Sequence, residues 1–167
     1  MQRTNETTVS RGEGKGARRL ALSGIVIAIY VVVMFLTQTF SFGQYQVRVA
    51  TSIYALAAIH PFLILPLGIA NLLSNTLMGG LGILDMAGGF LVGIFTSTLC
   101  YQLRKVHVSL VALPIILIPT LLVPIWLSYL LNIPYAVLAI SLLVGQIVPG
   151  IVGVFLVKHL EKPLMRF

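Results

Sequence analysis

Two charged residues, Arg48 and Asp85, stand inside an otherwise apolar body, in the segment from Gly43 to Gly89. A charge in a membrane segment is costly, so it usually faces a bundle interior, a watery cavity or a partner. The two groups have complementary chemistry. Arginine offers N–H donors in a planar fork, and an ionised aspartate offers only acceptors. They can clamp a polar heterocycle, or pair with each other and fix helix ends. A third reading makes Arg48 an interfacial anchor alone. Asn71, Ser74 and Asn75 follow at i, i+3 and i+4, which is one face of a helix. Polar side chains in lipid need partners. That face therefore points inward towards the same region, or bonds to neighbouring helices.

Other chemistries lack their parts. The three histidines are scattered and the single cysteine, Cys100, lies in an apolar run. No metal site and no intrachain disulfide are expected. Gly80-Leu81-Gly82 has the glycines of a phosphate loop without its strand-turn-helix context, and no GxxxxGK[ST] occurs. No nucleophile–base constellation is visible, so no catalytic residue is expected and the chain is not expected to be an enzyme.

The elements that must position Arg48 and Asp85 follow from composition. The chain of 167 residues is 58% hydrophobic and 9% charged, against about 25% charged in soluble domains. Its mean hydropathy is +1.02. It is an integral membrane protein in the lipid bilayer. The net charge of +7 suggests nucleic acid, but its distribution does not. Arg3, Arg11, Lys15, Arg18 and Arg19 precede the first apolar run, Arg104 and Lys105 share one connection, and Lys158, Lys162 and Arg166 end the chain. That is the positive-inside pattern, and no nucleic-acid partner is expected.

Residues 1–18 read as a flexible basic cytoplasmic arm, 19–160 as the transmembrane domain and 161–167 as a short cytoplasmic tail. Basic segments at both ends put both termini inside and make the number of crossings even. Leu20–Thr39 is long enough to span ~30 Å. Arg104 and Lys105 must also be inside, so the region from about Val49 to Leu103 holds three short spans. Breaks are expected near His60-Pro61 and at Gly79–Gly82. Ser109–Leu131 and Tyr135–Val157 complete a six-helix, all-α bundle, with Asn132-Ile133-Pro134 as a turn. Arg48 then opens the second helix from outside, and Asp85 lies just inside the outer mouth of the fourth. Trp126 and Tyr129 fall towards the outer end of the fifth helix and Gln146 in the outer half or middle of the sixth. Trp126, Tyr129 and Tyr135 also fit an interfacial aromatic belt.

With these residues in place, the chain resembles the substrate-binding (S) component of an energy-coupling-factor (ECF) transporter, in particular the QueT-like queuosine-precursor family. Phe42-Gly-Gln-Tyr-Gln-Val-Arg48 is similar to that family's YGPIQFR. Ile69-Ala-Asn71 and Gly82-Ile-Leu-Asp85-Met-Ala-Gly-Gly89 are similar to segments of its third and fourth helices. The resemblance covers roughly residues 20–160. It implies a six-helix subunit in the bacterial plasma membrane that binds substrate near the extracellular side. It implies partners too: a transmembrane coupling (T) protein and two ABC ATPases, which would carry ATP and Mg, with no cofactor in this chain. The small residues Ala21, Gly24 and Ala28 on the first helix would dock on that module; from spacing alone they fit internal packing equally. In the site, Arg48 and Asp85 would be polar clamps. Asn71, Asn75, Gln146 and Thr51 would contribute polar contacts, with Tyr45 or Trp126 stacking on the ring. A deazaguanine has donors along one edge and a carbonyl acceptor, which a carboxylate and an arginine fit.

Two positions depart from the family pattern. Thr51 and Gln146 stand where the family usually has glutamates. Negative charge that would hold an aminomethyl cation is missing, which implies a less cationic ligand or another planar heterocycle. A stand-alone small transporter is the alternative, although no internal repeat or chain of titratable groups supports it.

Overall fold

The computed structural model describes residues 3–41, 46–78 and 80–164, all helical or in short connections. Helix α1 runs Arg3–Leu36 and begins well ahead of the apolar run, α2 is the short turn Gln38–Ser41, and a 3-10 helix spans Val49–Ala58. After a single 3-10 turn at Pro61–Leu63 come α3 (Ile64–Leu77), α4 (Ile83–Arg104), α5 (Ala112–Leu131) and α6 (Tyr135–Leu164). Among the described residues, four helices are long and apolar enough to cross a membrane, within Gly16–Leu36, Ile83–Arg104, Val108–Leu131 and Tyr135–Leu164. Two shorter apolar segments, Val49–Ala58 and Pro61–Leu77, lie between the first and second of these.

The expected breaks have local causes. His60 is extended ahead of Pro61, as a residue before proline tends to be. Asn132 ends α5 in the left-handed conformation, a helix stop that asparagine tolerates. Gly82 starts α4 with φ +97 and ψ −172, a region essentially closed to residues with a Cβ. That glycine turns the chain so that Asp85 falls in the first turn of α4.

The Val49–Ala58 segment is the centre of the bundle. Eight of its ten residues are buried, and it packs against α1, α4 and α6. At ~2.0 Å per residue it is ~20 Å long, short of the ~30 Å hydrocarbon layer. It is sheltered by protein. Its row Arg48, Thr51, Tyr54 is spaced by three, which a 3-10 helix places on one side. Tyr30 of α1 and Tyr54 are fully buried. Their hydroxyls lie 2.9 Å apart and their rings stack at 5.5 Å. Helices α3 and α4 touch through glycine: a Cβ on Gly93 would lie 2.9 Å from the Gly68 Cα.

Arg19, His60 and Arg104 gather at one end. Arg19 of α1 lies over the Phe62 ring. His60 Nε2 is 3.0 Å from the Leu164 carbonyl oxygen, and Arg104 at the end of α4 pairs with Glu161 of α6. The start of α4, with Asp85 in its first turn, lies at the opposite end of that helix from Arg104.

Candidate functional site

Arg48 and Asp85 meet on one cavity of about 470 Å³, with Gln38, Thr39, Gln46, Met78 and Leu127 among the residues lining it. Arg48 precedes the 3-10 helix and is 7% exposed; Asp85 is 4% exposed. Two acidic and basic groups read from the sequence as lying at the same depth therefore share one chamber. Its volume fits a bicyclic heterocycle, since small-molecule pockets run from about 300 to 1,000 Å³.

Asp85 is held from three sides. Its Oδ1 accepts the Trp126 indole N–H at 2.9 Å. Its Oδ2 faces the Leu81 backbone N–H at 3.4 Å, the outer limit of a hydrogen bond. Its carbonyl oxygen accepts from Asn75 Nδ2 at 3.3 Å. Two N–H donors are aimed at the carboxylate, which has further lone pairs able to accept from a ligand. The indole sits against Gly88: a Cβ there would come within 2.7 Å of it.

The remaining residues expected at the site are buried behind this lining. Asn71 is 2% exposed and donates to the Gly89 carbonyl at 2.7 Å. Asn75, 1% exposed, ties α3 to α4 through Asp85. Ser74 shares their buried face. The Thr51 hydroxyl lies 2.7 Å from the Arg48 carbonyl oxygen and 2.8 Å from Gln146 Oε1. One hydroxyl proton serves one acceptor. Turning the Gln146 amide over would let Nε2, otherwise without a partner among the described residues, donate to Thr51 while Thr51 donates to Arg48. This chain steadies the backbone that carries the guanidinium. Thr51, Asn71, Asn75 and Gln146 are not among the described residues that line the cavity. Trp126 reaches the site through Asp85, while Tyr129 is exposed and Tyr135 donates to the Leu121 carbonyl. Tyr45 lies outside the described residues.

Ala21, Gly24 and Ala28 form an exposed face on α1, and a Cβ on Gly24 would meet nothing within 4 Å. Among the described residues no packing partner accounts for the glycine at position 24. Cys100 is buried and free. Among the described residues no group of His, Cys, Asp and Glu could hold a metal ion. Sequence reasoning missed Gln46 and the Tyr30–Tyr54 pair. Gln46 lies two residues before Arg48, in the segment similar to YGPIQFR, where it falls on that motif's glutamine.

The chain matches the QueT transporter family model over residues 20–162. It belongs to the QueT transporter family. That match covers most of the chain, including the apolar body and both charged residues of the cavity. With its apolar helices, QueT family membership makes the chain a membrane protein of a transport family. No curated protein and no solved structure matches it.

Proposed function

We propose that this chain is the substrate-binding subunit of an ECF-type importer. It binds a 7-deazaguanine queuosine precursor at the outer face, and separate ATPases drive delivery inward. The observation that carries this reading is the cavity that joins buried Arg48 and Asp85 in a chain of the QueT transporter family. The carboxylate takes the donor edge of the base and the guanidinium its carbonyl. The polypeptide crosses the membrane six times, the shorter segments Val49–Ala58 and Pro61–Leu77 serving as the second and third crossings. Both termini are cytoplasmic. The contacts of Arg19, His60 and Arg104 at one end support this orientation, and the cavity opens outside. The exposed Gly24 face of α1 docks on the coupling protein and its two ATPases.

The neutral Thr51–Gln146 pair bears on the ligand. It lies behind the cavity lining, where the family's usual glutamates would add negative charge close to the site, and the described lining itself carries one cation and one anion, Arg48 and Asp85. The ligand is therefore less cationic than an aminomethyl base. Titration with neutral 7-cyano-7-deazaguanine and cationic 7-aminomethyl-7-deazaguanine should show the neutral base binding tighter. Tighter binding of the cationic base would contradict this assignment.

A further inference from the structure

Gln46 carries two unfavourable features at once. Its backbone φ is +42, in the left-handed region that a residue with a Cβ adopts at a cost. Its Oε1 is closed off and has no hydrogen-bond partner among the described residues, which leaves the desolvation of an acceptor uncompensated there. Both features fall on a half-buried residue that lines the cavity with Arg48 and Asp85. A turn that needs positive φ is met more cheaply by glycine or asparagine. The backbone therefore does not explain glutamine here, and the side chain must. Strain held at a cavity wall is an argument for a binding role.

We propose that Gln46 is a third polar contact to the ligand and a specificity-determining residue of this site. Its amide turns into the cavity and accepts an N–H of the bound heterocycle. This rests on the reading of the cavity as the ligand site. A carboxamide oxygen accepts one N–H, and beside the donor edge taken by Asp85 a 7-deazaguanine carries a second ring N–H, on its five-membered ring. Arg48 and Asp85 attract polar ligands by charge. Gln46, being neutral, distinguishes among them: a site built to hydrogen-bond a group rejects the analogue lacking it.

Gln46→Gly separates the two roles, because glycine relieves the backbone and removes the amide. Wild-type and Q46G protein, purified in detergent, would be titrated with 7-cyano-7-deazaguanine and also unfolded thermally. The expected result is binding about 10-fold weaker with the unfolding temperature unchanged or raised. Gln46→Asn tolerates the backbone and keeps a shorter amide, so its affinity should lie between the two. Equal affinity in wild type and Q46G would overturn the proposal and leave Gln46 a turn residue. A fall in both affinity and unfolding temperature would overturn it as well. Failure of the wild type itself to bind the base, with Asp85→Asn equally inert, would remove the cavity reading and this proposal with it.

Discussion

The indole N–H of Trp126 sits 2.9 Å from Asp85 Oδ1, and this bond sets what Trp126 does for the site. A tryptophan that stacks on a ligand needs only its ring. One that orients a carboxylate needs its N–H. Trp126→Phe keeps an aromatic ring and drops the donor. We expect ligand affinity to fall about 10-fold, the scale of a hydrogen bond to a charged group. Added to Asp85→Asn, the same change should cost little more, since the two residues act as one unit. Wild-type affinity in W126F would assign Trp126 to stacking instead. The polar residues of this layer were legible as types: a charge or amide in an apolar run must find a partner. Which partner it finds was not. The Trp126–Asp85 bond joins two helices whose rotation about their axes the sequence does not state. Gln46 was hidden for another reason, because a left-handed φ at a glutamine breaks the residue preference by which turns are read.

At the scale of elements, α1 is two-faced. Tyr30 and Met34 are fully buried on one side, while Ala21, Gly24 and Ala28 are exposed on the other. Small residues with nothing against them permit the close approach of another helix. Gly24→Leu should therefore leave ligand binding intact and reduce ATP-dependent uptake several-fold, measured in vesicles that contain the complete transporter. Unchanged uptake would show that this face only meets lipid. Most helix ends were legible, because Pro61, Asn132 and the glycines before α4 act locally. The 3-10 winding of Val49–Ala58 was not. Ten residues buried on nearly every side carry no amphipathic stripe, so periods of 3.0 and 3.6 read alike. Helix α1 also extends back to Arg3, through a polar stretch that reads as a loose arm by composition.

Across the whole molecule, charge is divided by end. Arg19, Arg104 and Glu161 belong to one end, and Arg48 and Asp85 line the cavity near the start of α4. The placing of basic residues before the first apolar run, at Arg104 and at the C-terminus suggested such a division in advance. Under the proposed function this cavity holds a deazaguanine between Arg48 and Asp85. The most direct measurement is mass spectrometry of small molecules released from the purified protein, followed by titration with the recovered compound. The expected result is a deazaguanine in near-stoichiometric amount, with binding lost in Asp85→Ala and in Arg48→Ala. Full binding in both variants, or no deazaguanine bound by the wild type under any titration, would contradict it.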